Sequence, residues 1–209
     1  MSGYGSHLKI LHCIFDHTPI KSVIEFGAGV NSTPFFLARA ADVTSIETDR
    51  RWLDEACAAS TTLKTVWHPY HVESDFDGFK YLIGKGKLVD QKFDLALVDG
   101  PYNTRRAVAQ TFLCCRAAKI IVCHDAERTE YKYDSVVLPP GWIAIRTVHT
   151  GLLPWVLVLT DDPAWIQRLN DGLRGTDVEK LETYDDLSKL YYPARPAWTV
   201  EQEAKRAQP

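Results

Sequence analysis

Apolar and polar positions along this chain separate short buried strands from amphipathic helices. Residues His7 to His17 put Leu8, Leu11, Ile14 and Phe15 at helical spacing, which predicts an amphipathic helix. Ser22 to Phe26 reads as a strand and Pro34 to Ala41 as a helix. Val43 to Glu47 is a second strand, Arg51 to Ser60 an alanine-rich helix, and Thr65 to His68 a third strand. Pro69 to Gln91 holds Asp75, Asp77, Gly78, Gly84 and Gly86, which predict a loop, a short helix and another turn. Phe93 to Asp99 and Lys119 to His124 are continuous apolar runs, with a helix over Thr104 to Arg116 between them. Such runs fit parallel strands buried on both faces. Trp142 to His149 and Trp155 to Thr160 flank Thr150-Gly151-Leu152-Leu153-Pro154 and predict an antiparallel hairpin. A further helix opens after Asp161.

Strands alternating with helices and closed by a hairpin predict the α/β class. The expected fold is a single-domain, Rossmann-like, doubly wound sheet, mostly parallel, with a terminal antiparallel hairpin at its edge. Residues 1–175 would form that domain, including the N-terminal helix. Residues 176–209 would form a polar extension, carrying Tyr191, Tyr192 and Trp198, that packs on the domain or docks a partner.

Composition narrows the classes. A chain of 209 residues suits one α/β domain. No apolar run is long enough to span a bilayer, and Met1 to His7 lacks the basic-then-apolar pattern of a secretory signal. A net charge of −3 offers no electrostatic case for nucleic acid. The five cysteines are odd in number and form no C-x-x-C pair, which points to reduced thiols in the cytoplasm. Cys114 and Cys115 read as core packing. The expectation is a cytoplasmic protein without membrane or nucleic-acid partners, with homodimerisation left open.

The densest chemical signal is Val23-Ile-Glu-Phe-Gly-Ala-Gly-Val-Asn-Ser-Thr-Pro34. A strand ends near an acid, two glycines follow, and Ser32 or Thr33 stands as a helix cap with Pro34 at the first helical position. Gly27 and Gly29 let a ligand approach the main chain, and the helix start offers free N–H groups to an anion. Glu47 ends the next strand, at the spacing of a ribose-binding acid. Together these predict a site for an adenosine-containing cofactor.

With these residues in view, the pattern from about Ser22 to Thr160 resembles the class I methyltransferases that use S-adenosylmethionine. Glu25-Phe-Gly-Ala-Gly29 is similar to that family's acid-x-Gly-x-Gly signature, and Glu47, Asp99 and the terminal hairpin match its later features. Val98-Asp-Gly-Pro101, a following arginine and Cys123-His-Asp-Ala-Glu-Arg-Thr-Glu-Tyr131 are also similar to the late motifs of glucuronoxylan 4-O-methyltransferase-like proteins.

The resemblance implies S-adenosylmethionine as cofactor and O-methylation of a small molecule or sugar hydroxyl. Glu47 would bind the ribose hydroxyls, and Gly27 and Gly29 would pass beside the methionine moiety and ribose. Glu25 would hold the loop or reach the amino group through water. Ser32 and Thr33 would contact the carboxylate or only cap the helix. Asp75 and Phe76 would lie near adenine, and Asp99 would border the cofactor. For catalysis, His124 is the expected base, because its ordinary pKa lies near neutrality, with Asp99 or Asp125 orienting it. A divalent metal held by Asp99, His124 and Asp125 is the alternative, although magnesium prefers oxygen ligands. His68-Pro-Tyr-His71 reads as a loop capping the cofactor. Arg105 and Arg106 would meet an acidic substrate or only face solvent, and Tyr4 and Tyr102 would shape the acceptor pocket. A nicotinamide-dependent oxidoreductase is the rival enzyme, but Ser32 stands where its third glycine belongs, and Tyr81-Leu-Ile-Gly-Lys85 lies in a glycine-broken stretch. A non-catalytic cofactor-binding partner subunit is the other alternative.

Overall fold

A computed structural model describes residues 6–40, 42–60, 65–72, 88, 90–100, 104–149 and 154–192. Those residues form one eight-stranded sheet flanked by helices. The order along the chain is α1 (Ser6–His17), β1 (Ser22–Phe26), α2 (Ser32–Arg39), β2 (Asp42–Glu47), α3 (Arg50–Ala59) and β3 (Val66–His71). Then come β4 (Phe93–Val98), α4 (Thr104–Ala117), β5 (Ala118–Cys123), β6 (Ile143–His149), β7 (Val156–Thr160), α5 (Ala164–Gly172) and β8 (Val178–Tyr184). Across the sheet the strands run β3-β2-β1-β4-β5-β7-β6-β8. The first five are parallel, and β7, β6 and β8 pair antiparallel.

Period-two alternation explains the layers, because successive strand residues face opposite sides of a sheet. Val23, Val43, Leu95, Leu97, Ile120, Val122, Ile145 and Val158 pack on one face against Ile10, Leu11 and Ile14 of α1, Phe36 of α2 and Trp165 of α5. Ile24, Ile46, Ala96, Val98, Ile121, Cys123 and Leu159 face the other way, toward Cys114 of α4 and the short helical turns bearing Tyr131 and Tyr133. Both faces are therefore covered, as the apolar runs of β4 and β5 require.

Three expectations are corrected. The third strand runs past His68 to His71, so His68-Pro-Tyr-His71 is strand rather than loop. It pairs with β2 alone, which tolerates Pro69 because an edge strand has no second neighbour needing that donor. The hairpin is not the sheet edge: β7 lies between β5 and β6, and β8 adds a further strand beside β6. Buried Arg146 of β6 crosses to β8, donating from Nε to Glu182 at 2.9 Å and stacking on Trp155, Tyr184 and Tyr191. Third, α2 begins at Ser32, so Pro34 is its third residue rather than its first.

The parallel order reverses at β1, which has β2 on one side and β4 on the other. Ligands of open α/β sheets bind outside the carboxyl ends of the strands at such a point. The same edge gathers the tips of β1, β2, β4 and β5.

Candidate active site

At the tip of β1, Glu25 is fully buried. Its Oε1 accepts from Thr33 Oγ1 and Ser45 Oγ, both at 2.6 Å, and its Oε2 accepts from Ser32 Oγ at 3.1 Å. Trp67 Nε1 donates to the same Ser45 hydroxyl at 2.8 Å. Burial pushes the Glu25 carboxyl up to about 7, although the three hydroxyls work against the rise. Gly29 N–H donates to Thr33 Oγ1 at 3.0 Å. Glu25, Ser32 and Thr33 therefore bond mainly to one another and brace the loop from beneath.

The two glycines differ. Gly27 has φ of +95°, and a Cβ there would stand 2.1 Å from the Asp99 carbonyl oxygen. It is glycine so that the β1 and β4 tips can touch. Among the described residues, a Cβ at Gly29 would meet nothing within 4 Å, so Gly29 faces open space beside the loop.

Glu47 is buried at the end of β2, with Oε1 accepting from the N–H groups of Thr48 at 2.6 Å and Asp49 at 2.8 Å. Asp49 in turn caps α3 by accepting from Arg51 N–H at 2.9 Å. The turn thus fixes the direction of the Glu47 carboxylate.

Asp99 and His124 meet across the tips of β4 and β5, with His124 Nδ1 2.9 Å from Asp99 Oδ1. Tyr133 O–H donates to the His124 carbonyl at 3.1 Å, which holds the backbone beneath the ring. Burial works against charge on this ring, yet Asp99, Asp125 and Glu127 raise its pKa to about 9. Burial likewise pulls the Asp99 carboxyl up, but the charge and hydrogen bond of His124, helped by Arg128, outweigh it and hold the group below its ordinary value. A raised histidine pKa beside a lowered carboxylate pKa favours the charged form of the pair. Asp125 sits at φ of 55°, in the left-handed region that Asp tolerates. Its Oδ2 lies 3.2 Å from Arg128 Nε, and its Oδ1 is 3.8 Å from His124 Nδ1. Asp125 thus turns mainly toward Arg128.

Sequence reasoning missed His7. It is 2 % exposed at the start of α1, with its ring centroid 4.7 Å from that of His124 and the planes 75° apart. Neither ring nitrogen has a hydrogen-bond partner among the described residues. Burial, then the His124 charge, lowers its pKa to about 4, so the ring is neutral. The available signal was its spacing: positions 7, 10, 11 and 14 form one buried helical stripe, and only the first is polar.

Asp75, Phe76, Tyr4, Tyr102 and the Tyr81–Lys85 stretch lie outside the described residues. Arg105 and Arg106 fall in the first turn of α4. All five cysteines are free; burial raises the thiols of Cys114 and Cys123 well above their ordinary range, which suits core packing. Among the described residues, no helix is long and apolar enough to cross a membrane.

No family model matches the chain, and no curated protein matches it. Solved structures do. An O-methyltransferase from Bacillus cereus, in complex with S-adenosylhomocysteine, superposes with a TM-score of 0.56 at 13% identity, covering 77% of this chain and 81% of that one. The N-methyltransferase NodS from Bradyrhizobium japonicum gives a TM-score of 0.51 at 14% identity over 73% and 92% of the two chains. A precorrin 8w decarboxylase from Methanobacterium thermoautotrophicum gives 0.53 at 12% identity over 74% and 89%. The architecture is thus the Rossmann-like fold of the class I methyltransferases. At these identities the likeness extends to the fold and not to the reaction.

Proposed function

We propose that the chain is an S-adenosylmethionine-dependent methyltransferase acting on a hydroxyl of a small molecule or sugar. The observation that carries this reading is the grouping of three features on one sheet edge. These are open space at Gly29, a buried carboxylate at Glu47 and a charged pair at Asp99 and His124. In the reading, Glu47 accepts hydrogen bonds from the ribose hydroxyls. The Gly27–Gly29 loop carries the methionine end, and the Glu25, Ser32 and Thr33 brace keeps that loop in shape.

Methyl transfer is an in-line displacement. The sulfur–carbon bond breaks, an oxygen–carbon bond forms, and the acceptor's hydroxyl proton leaves to bulk water. The enzyme must align three atoms and favour the acceptor as an oxyanion. The positive charge that Asp99 draws to His124 stands where it can face that oxygen, and Asp125 likewise favours the protonated ring. Among the neighbours of comparable fold, one is an O-methyltransferase and one an N-methyltransferase, which supports alkyl transfer without choosing the acceptor atom.

Calorimetry with S-adenosylmethionine, S-adenosylhomocysteine and NAD, each alone, tests the cofactor. Saturable binding of the two sulfur ligands is expected; binding of NAD alone would overturn the reading. Methyl release on a panel of hydroxylated acceptors then separates an enzyme from a non-catalytic partner subunit. Turnover that is lost in Asp99→Ala and His124→Ala supports these roles, and full turnover in both variants removes them.

A further inference from the structure

We propose that His7, Asp99 and His124 form a binding site for one divalent first-row transition-metal ion, such as cobalt or zinc. One ligand atom from each of the three residues lies within 4.8 Å of the others. Within this group, His124 Nδ1 and Asp99 Oδ1 are 2.9 Å apart. Donor atoms bound to one ion at about 2.0–2.2 Å stand roughly 3 Å from each other, so this pair already has the separation of adjacent ligands. Only the His7 ring must close, by about 1–2 Å at most on the same bond lengths.

A second, independent observation points the same way. A buried imidazole whose nitrogens lack partners costs about 1–3 kcal/mol relative to a satisfied one, and His7 is such a ring among the described residues. Something that accepts its lone pair would remove that cost. A substrate hydroxyl is a poor occupant because His7 is 2 % exposed. A bare ion needs far less room.

The donor chemistry selects the class of ion. Two imidazoles and one carboxylate suit zinc, cobalt, nickel or iron, whereas magnesium demands oxygen and keeps its waters. Nearby charge also favours a cation: Asp99 is a ligand, and the carboxylates of Asp125 and Glu127 act on His124, with Arg128 opposing them. Asp125 is not in the set, because its side chain turns to Arg128. The ion would occupy the place of the proton between His124 and Asp99 and would supply the same positive charge more strongly. The site rests on the edge assigned to methyl transfer, but its binding can be read with no methyl donor or acceptor present.

Chelator-treated, tag-free full-length protein is titrated with cobalt(II), and the ligand-field absorption and thermal midpoint are followed. Zinc competition and metal content after dialysis give the stoichiometry. One cobalt per chain is expected, displaced by zinc and unaffected by millimolar magnesium. His7→Gln should weaken binding at least about 100-fold, beyond the effect of removing an outer-shell partner. Asp125→Asn should change it only a few-fold. If His7→Gln does not fold, His124→Gln must show the same loss. Failure of the wild-type protein to bind cobalt or zinc overturns the site, as does unchanged binding in a folded His7→Gln variant. Loss in Asp125→Asn with retention in His7→Gln overturns it too. None of these results would alter the proposed methyl transfer.

Discussion

Two buried polar clusters lie side by side at the reversal point of the sheet, and they are built on opposite terms. In the Glu25 cluster, three hydroxyls converge on one carboxylate, and the neighbouring indole and Gly29 amide complete the network. In the His7–Asp99–His124 cluster, a neutral imidazole without hydrogen-bond partners among the described residues leans against a charged one. The first arrangement satisfies its polar atoms and fixes a loop. The second leaves bonding capacity unused beside a 30 % exposed carboxylate. Saturated networks stiffen a site, and unsaturated ones are where a ligand gains the most. On the proposed function, the contrast would give structure to the β1 tip and chemistry to the β4 and β5 tips.

Gly27 is where the loop after β1 meets the Asp99 backbone, so its replacement breaks the comparison hardest. Gly27→Ala forces a methyl group into the Asp99 carbonyl at a backbone angle alanine avoids. A loss of more than about 4 kcal/mol is expected, the range reserved for named steric failures, measured by chemical denaturation. A folded variant within 1 kcal/mol of wild type, on that same scale, would show that the strand tips are not in contact.

Asp99→Asn keeps the shape of the second cluster and removes its negative charge. Methyl release should fall by about 100-fold or more, the effect of losing one preorganised electrostatic partner, with cofactor affinity changed far less. If cofactor affinity falls in step with turnover, Asp99 belongs to binding rather than to the acceptor side.

The first cluster makes a pH prediction of definite sign. Glu25 titrates near 7 in the folded protein against an ordinary 4.5, so the folded state holds its proton more tightly than the unfolded state. Its contribution is fully present below pH 4.5 and is lost as pH rises through 7. The difference corresponds to roughly 3 kcal/mol. Urea unfolding of wild type and Glu25→Gln at pH 5 and pH 8 should show a smaller pH-dependent loss in the variant. Equal losses would mean that Glu25 is not the titrating group.

Thr33→Val is the mildest probe. It removes a donor to Glu25 and the acceptor of the Gly29 amide, at a cost of about 1–3 kcal/mol. Ser32→Ala, which removes a single longer bond, should cost less. Reversal of that order in thermal melts would say that the 3.1 Å contact is the stronger one.

Much of the fold is legible in the chain because β4 and β5 are continuous apolar runs and β1 and β2 carry an acid at or next to their last residue. Two strands are less legible for a shared reason. β3 contains Pro69 and is largely exposed, with Val66 57 % accessible. β8 reads Val-Glu-Lys-Leu-Glu-Thr-Tyr and lies at the opposite edge. Edge strands bury too little to need an apolar pattern, so their sequences resemble loops. Of the candidate site, the residues at strand tips are legible and their partners are not. Asp125 follows His124 in the chain but turns to Arg128, whereas His7 is 117 residues away and meets it ring to ring.

The order of strands and helices, the glycine-rich turn and the acids at the strand ends follow from the sequence alone, because alternation and turn chemistry act between near neighbours. Tertiary structure decided which of those acids is satisfied by hydroxyls, which one faces a histidine, and that the first helix brings a second histidine to it. Those outcomes depend on distances between segments far apart in the chain, and a side chain's charge and hydrogen bonding are set by what packing places within a few ångströms of it.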